Sequence, residues 1–204
     1  MLNPCKTYFI SLWVLLTLVA CTSQNAEVNS VSVNEEGIPL SVLKYNPKAA
    51  SINAQLGIGY LQQGDVERAK TKLLMAQKQD PHSSEVASAM AYYCDTIGNP
   101  QEAERYYQQA YSWAKHKGDV ANNYGVFLCR QKRYPEADRY FQKAIQDPNY
   151  VRTAKTYENM GLCHLLQNDK AGAKVYFLKA IRIDPRLKKS YPEEYYLATT
   201  RGVA

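Results

Sequence analysis

Small and large apolar residues recur at fixed distances through most of the chain, from Ala50 onward. Each of four stretches has a small residue, here named the anchor, followed by an alanine 12 residues later, a large apolar residue at 16 and a second alanine at 19. The anchors are Gly57, Ala91, Gly125 and Gly161, spaced 34, 34 and 36 residues apart. A fixed period of this length is the signature of a repeat architecture. The pattern therefore predicts four copies of one structural unit.

The spacing inside each copy resembles that of the tetratricopeptide repeat, a pair of antiparallel helices. A small anchor lets the two helix backbones approach where they cross, and the large residue at 16 is expected to fill the space between neighbouring pairs. Turn signals at residues 64–65, 98–100, 133–135 and 168–169 separate the two helices of each pair.

We therefore predict an all-α, right-handed superhelix of four helix pairs plus a short C-terminal capping helix. The repeats are expected at about 50–83, 84–117, 118–153 and 154–187, with the capping helix over 190–201. A single pair cannot bury its apolar face alone, so several pairs must stack, and the end of the stack needs a polar cap.

The first 21 residues differ in kind from the repeats. Lys6 precedes an uncharged run of 13 residues from Tyr8 to Ala20, which is shorter than the about 20 residues of a membrane-spanning helix. The run predicts a signal peptide over residues 1–20. It ends in Leu-Val-Ala-Cys, which resembles a bacterial lipobox and implies that Cys21 is acylated. The alternative is an ordinary signal peptide with a cysteine nearby.

Acyl chains on Cys21 would anchor the protein stably to a membrane. The next residue is Thr22 rather than aspartate, and the resemblance to lipoproteins then implies delivery to the outer membrane, facing the periplasm. Residues 21–47 are polar and lack a helical period, which predicts a flexible tether with a reach of roughly 25–30 Å. The folded domain is expected over residues 48–204.

The cysteines outside the N-terminal segment are Cys94, Cys129 and Cys163, and the periplasm permits disulfides. Cys129 and Cys163 both lie on first helices of consecutive repeats, shortly after the anchors, so we favour a disulfide between them. Cys94 is an alternative partner for Cys129, and three buried free thiols are the other alternative.

Composition and charge exclude several classes of function. The chain is 46% hydrophobic and 22% charged, as in globular proteins. Its formal net charge is +6, the charges are scattered, and the densest cluster is Arg186, Lys188 and Lys189, so we expect no nucleic-acid partner. Catalytic motifs, phosphate loops and metal-ligand spacings are lacking. We expect no enzyme activity, no cofactor, no metal and no small-molecule substrate.

In such stacks the first helix of each pair lines the concave surface. Positions 6 and 3 before the anchor, and 1, 4 and 5 after it, are expected to point inward. The predicted partner-binding groove consists of Ile58, Leu61, Gln62, Tyr92, Asp95, Asn122, Val126, Glu158 and Leu162. It would be apolar at its ends and polar in its middle, which fits an amphipathic helix. The alternative is that neighbouring helices bury these apolar residues.

Three segments go beyond the generic repeat pattern: Ala-Gln-Leu-Gly-Ile-Gly-Tyr-Leu at 54–61, Asn-Asn-Tyr-Gly-Val-Phe-Leu-Cys at 122–129, and Glu-Asn-Met-Gly-Leu-Cys at 158–163. Together with the lipobox they resemble the type IV pilus pilotin lipoproteins of the PilF/PilW family. The resemblance implies that the chain binds the outer-membrane secretin of the pilus, carries it to the outer membrane and promotes its multimerisation. The alternative is a generic periplasmic adaptor lipoprotein that serves β-barrel assembly or peptidoglycan enzymes.

Overall fold

The computed structural model describes residues 45–191. This part of the chain contains α-helices, one short 3₁₀-helix and no strand. The α-helices are α1 Pro47–Gln62, α2 Val66–Gln79, α3 Ser84–Thr96, α4 Pro100–Trp113, α5 Gly118–Arg130, α6 Tyr134–Gln146, α7 Thr153–Leu166 and α8 Lys170–Ile183, and the 3₁₀-helix is Pro185–Ser190. The predicted signal peptide, the acylated Cys21, most of the tether and the capping helix beyond Tyr191 lie outside the described residues.

Consecutive helices pack as pairs, α1 with α2, α3 with α4, α5 with α6 and α7 with α8. We name these pairs units one to four. The first helices of successive units, α1, α3, α5 and α7, also contact one another in order along the stack. The predicted all-α fold of four tetratricopeptide helix pairs is therefore confirmed.

Polar side chains begin most of the helices. In five of the eight described α-helices a side-chain oxygen accepts a hydrogen bond from a backbone N–H of the first turn, which satisfies a donor that has no partner within the helix. The capping residues are Asn46, Asp65, Ser83, Asn99 and Asp169. These caps explain why the repeats divide into separate helices at these points.

The turn between the two helices of each unit requires a left-handed backbone seven residues after the anchor. Units one and two have Gly64 and Gly98 there, with φ of 80° and 78°. Units three and four have Lys132 and Asn168, with φ of 60° and 59°. A side chain with a Cβ is disfavoured in this conformation. Lys132 is therefore a strained position that the two glycines avoid.

The glycine anchors make room for the large residue 16 positions later in the same unit. A Cβ placed on Gly57 would lie 2.6 Å from Leu73, one on Gly125 would lie 2.7 Å from Phe141, and one on Gly161 would lie 2.6 Å from Phe177. These three large side chains fill space inside their own pairs. The spacing predicted that the large residues lie between neighbouring pairs, and the structure adds that these three also lie against the anchors of their own pairs.

Unit two has Ala91 as its anchor, which is fully buried. The side chain 16 positions later is Tyr107, whose ring centroid lies 5.4 Å from that of Tyr124 and 5.2 Å from that of Phe127. Both partners belong to α5 of unit three. We attribute this direction to the Ala91 methyl group, which occupies the space that a glycine leaves open for the ring.

Candidate partner-binding groove

The first helices line an open groove of about 900 Å³. Its walls come mainly from α1, α3, α5 and α7, with additional residues from the loops before α5 and α7 and from α4. Ile58, Gln62, Tyr92, Asn122 and Val126 of the predicted set line this groove.

An apolar row follows the position directly after the anchor. Ile58, Tyr92 and Val126 occupy this position in units one, two and three, and all three are partly buried and line the groove. Leu162 has the same position in unit four and is 47% exposed, but it lies outside the groove lining. Units one to three thus each present one apolar side chain to the groove from this position.

A hydrogen-bonded polar floor crosses three first helices. Asn123 Nδ2 donates to Ser88 Oγ at 3.4 Å, and Asn122 Nδ2 donates to Asn123 Oδ1 at 3.2 Å. Asn122 Oδ1 then accepts from Thr156 Oγ1 at 3.1 Å and from Asn159 Nδ2 at 2.9 Å. Because both ends of the Asn122 amide are satisfied, its burial carries little penalty. The floor joins α3, α5 and α7 and holds the middle of the groove in one arrangement.

Ion pairs balance the charge around the groove. Each Lys or Arg that lines it has an acidic partner: Arg130 with Asp95, Arg152 with Asp119, and Lys155 with Glu158. Such partly exposed pairs contribute at most about 1 kcal/mol each to stability. The groove therefore has no strong excess of either charge, and its apolar row and amide groups determine which partner it fits.

Besides Leu162, three of the predicted groove residues lie elsewhere. Leu61 is only 6% exposed and belongs to the hydrophobic core, so its placement in the groove was wrong. Asp95 and Glu158 do not line the groove either. The Glu158 carboxylate pairs with Lys155, and, after burial, it also raises the pKa of Tyr191.

The misplacement of Leu61 and Asp95 has one geometric cause. The fourth residue after the anchor faces the next unit rather than the concave surface. In unit two this residue is Asp95, which accepts from Arg130 of α5, and in unit three it is Cys129, which is bonded to Cys163 of α7. Leu61 is the equivalent residue of unit one and is buried for the same reason.

The position two residues before the anchor was missed by the sequence analysis. Gln55, Ala89, Asn123 and Asn159 occupy it in the four units, and all of them line the groove. Three of the four are amides, which is the signal that a position-by-position comparison of the repeats offers. These side chains carry much of the polar floor.

The structure contains a disulfide between Cys129 and Cys163, whose Cα atoms lie 5.8 Å apart. It joins the first helices of units three and four, as proposed from the sequence. Cys94 is free and buried, and burial raises the pKa of its thiol to about 11.

We also searched the described part of the chain for a metal site and for a membrane-spanning helix. Residues 45–191 contain no group of three His, Cys, Asp or Glu side chains that could hold a metal ion. Among the same residues, no helix is long and apolar enough to cross a membrane.

Comparisons with known proteins agree with this architecture. Sequence profiles of the tetratricopeptide repeat match residues 54–119 and 118–186. The chain is 38% identical over 146 residues to the type IV pilus assembly protein PilF of Pseudomonas aeruginosa. The matched region covers 72% of this chain and 58% of that protein. It is 36% identical over 144 residues to an uncharacterized protein of Haemophilus influenzae, covering 71% of this chain and 72% of the relative.

Two solved structures are similar as well. The structure of Pseudomonas aeruginosa PilF superimposes with a TM-score of 0.61 and 34% identity, covering 77% of this chain and 78% of that one. The structure of PilW, described as a widely conserved type IV pilus biogenesis factor, superimposes with a TM-score of 0.60 and 27% identity, covering 69% and 64%.

Proposed function

Because the chain belongs to the tetratricopeptide-repeat family of the type IV pilus assembly protein PilF, we propose that it acts in type IV pilus biogenesis as a pilotin. In this role it binds the outer-membrane secretin of the pilus and promotes its localisation and multimerisation. The matched region spans only 58% of the length of PilF, so the partner is part of the proposal.

The apolar row of the groove is the observation that carries the proposal. Ile58, Tyr92 and Val126 repeat once per unit along a surface whose floor is polar and whose charges are balanced. An amphipathic helix presents a matching apolar stripe along one face. We therefore propose that the groove binds an amphipathic helix of the secretin, with the apolar row against the apolar face of that helix.

The proposal includes a membrane anchor at Cys21, which places the protein at the periplasmic face of the outer membrane. Its support is the sequence alone, since Cys21 follows the uncharged run directly. The test is to replace Cys21 by serine and to fractionate the cells. Release of the Cys21→Ser protein into the soluble periplasm is expected, and retention in the outer membrane would contradict acylation.

The groove is tested with Ile58→Asp and the control Ile52→Asp. Both residues lie on α1, but Ile58 lines the groove whereas Ile52 is 51% exposed and does not. Loss of an apolar contact worth about 1.5–3 kcal/mol should weaken binding of purified secretin at least tenfold. Ile52→Asp should bind normally, and circular dichroism must show both variants folded. Equal affinities of folded Ile58→Asp and wild type would rule out the groove.

The partner is tested by deleting the whole gene and examining secretin multimers and twitching motility. Loss of the multimers from the outer membrane is expected. If they persist, the pilotin role is wrong and the generic periplasmic adaptor becomes the better account. The two tests can fail separately. If Ile58→Asp binds the secretin normally but deletion still abolishes the multimers, the groove assignment is wrong and the pilotin role stands.

A further inference from the structure

The positive charge of the protein is concentrated in its last described helices. The whole chain has a formal net charge of +6, from 25 basic and 19 acidic residues. Residues 170–190 alone also carry a formal charge of +6, because they contain a single acidic residue, Asp184, and seven basic ones. The seven are Lys170, Lys174, Lys179, Arg182, Arg186, Lys188 and Lys189. The rest of the chain holds 18 residues of each sign.

One face of α8 combines this charge with exposed apolar side chains. Val175, Lys179, Arg182 and Ile183 are spaced at i, i+4, i+7 and i+8, which places them on one side of a helix. All four are exposed, Val175 by 51% and Ile183 by 52%. We name this set the α8 stripe. It contributes no residue to the groove.

The α8 stripe lies on a surface that stacking leaves open. Helix α6 of unit three is the repeat equivalent of α8. The residues of α6 that correspond to Val175, Lys179 and Arg182 are Arg139, Lys143 and Gln146, and all three are exposed. They are exposed although unit four is packed against unit three. A further helix stacked beyond Tyr191 in the same manner would therefore not cover the α8 stripe.

The charge of this segment is not neutralised within it. Asp184 pairs with Arg186, whose side chain is still 90% exposed. The Lys179 ammonium lies 4.9 Å from the centroid of the Tyr176 ring, a contact that orients the cation without removing its charge. The segment therefore presents a positive field to the solvent.

We propose that the α8 stripe and its neighbouring cations dock on the surface of a bilayer that contains anionic lipid. Cations attract the headgroups, and apolar side chains between them enter the headgroup boundary. A nucleic acid would satisfy the cations but offers no partner for Val175 and Ile183. The proposal goes beyond the role in pilus biogenesis, and it does not require acylation of Cys21. A docked α8 would leave the groove accessible to a protein partner.

The test measures binding of the full chain to two kinds of vesicle, one of phosphatidylcholine and one of equal parts phosphatidylcholine and phosphatidylglycerol. The readout is the ratio of the two affinities, because the apolar N-terminal run contributes equally to both. The double variant Lys179→Gln/Arg182→Gln should lower the ratio about 25-fold, since each cation near an anionic surface contributes roughly fivefold.

The matched control is Lys70→Gln/Lys78→Gln on α2, which removes the same charge from two exposed positions. It should change the ratio less than about twofold. Equal losses in the two double variants would mean that only net charge matters, and would overturn the proposal. So would a wild-type chain that binds both vesicles alike.

The apolar part is tested with Val175→Ser/Ile183→Ser, which should weaken binding to the anionic vesicles several-fold and leave binding to a single-stranded oligonucleotide unchanged. Thermal melting checks that each variant is folded. If the charge variants lose oligonucleotide binding while vesicle binding persists, the surface recognises a nucleic acid and the lipid proposal is wrong.

Discussion

The junction between units two and three differs from the junction between units three and four. In the first, the Tyr107 ring lies against Tyr124 and Phe127 of the next unit. In the second, the Phe141 ring lies against the Gly125 anchor of its own pair, and the Cys129–Cys163 disulfide joins the neighbouring first helices. The same stacking is thus held by aromatic packing in one place and by a covalent bond in the other.

We attribute the aromatic side of this difference to the anchor residue. The glycine anchors leave room for the large residue of their own pair, whereas unit two has the buried methyl group of Ala91 in that place, and the Tyr107 ring lies against the neighbouring unit. A repeat therefore stabilises either its own pair or the next junction with the same side chain. The junction that receives no such ring has other contacts, namely the disulfide and the hydrogen bonds of Asn122.

Removing the ring at the first junction should have the largest effect. Tyr107→Ala deletes an aromatic side chain that is 2% exposed, and the free energy of unfolding should fall by about 3–5 kcal/mol. Tyr107→Phe keeps the ring and should cost under about 1.5 kcal/mol. Urea unfolding followed by circular dichroism measures both. A Tyr107→Ala loss as small as that of Tyr107→Phe would mean that the ring does not hold the junction.

Removing the disulfide tests the second junction. The bond closes a loop with a sequence separation of 34, so Cys129→Ala/Cys163→Ala should lower the free energy of unfolding by about 3–4 kcal/mol in the chain-entropy model. Dithiothreitol should lower the melting temperature of the wild type but leave the double variant unchanged. An unaltered wild-type melting temperature after complete reduction would show that the other contacts suffice.

The role of the glycine anchors is tested by Gly125→Ala. Its methyl group would meet Phe141 at 2.7 Å, and overpacking of about 1–3 kcal/mol should outweigh the gain of up to about 1 kcal/mol in helix propensity. Gly59→Ala is the control, because nothing lies within 4 Å of that position, and it should stabilise. If Gly125→Ala also stabilises in urea unfolding, the anchor does not decide where the ring lies.

The smallest effect is expected in the turn of unit three, the unit that the two junctions share. Lys132→Gly relieves a left-handed backbone with a φ of 60° and should stabilise by about 1 kcal/mol. Gly98→Ala introduces the same strain in unit two and should destabilise by a similar amount. Urea unfolding of both variants measures the change in the free energy of unfolding. If neither variant changes it, the left-handed backbone at this turn is not a source of strain.

The helices and their pairing could be predicted because the anchor pattern records contacts within one pair. Ala69, Ala103, Ala137 and Ala173 are fully buried opposite the anchors. Contacts between pairs were harder to predict, because they depend on how far one unit rotates on the next. This rotation turns Leu61 and Asp95 towards the neighbouring unit and brings Asn123 and Asn159 to the groove.

The basic surface of α8 was missed for a related reason. Its cations lie three to five residues apart, so the linear sequence contains only the short cluster Arg186, Lys188 and Lys189. Only the helical period and the exposure of Val175 and Ile183 bring the α8 stripe together on one face. Charge that appears scattered along a chain can therefore form one continuous surface.

The buried thiol of Cys94 has a consequence for the fidelity of cysteine pairing. With a pKa of about 11, roughly one in ten thousand of these thiols is ionised at neutral pH. Thiol–disulfide exchange proceeds through the thiolate, so Cys94 is a poor attacker of the Cys129–Cys163 bond once the stack has formed. The third cysteine is thereby kept from scrambling the bridge, although it lies only one unit away.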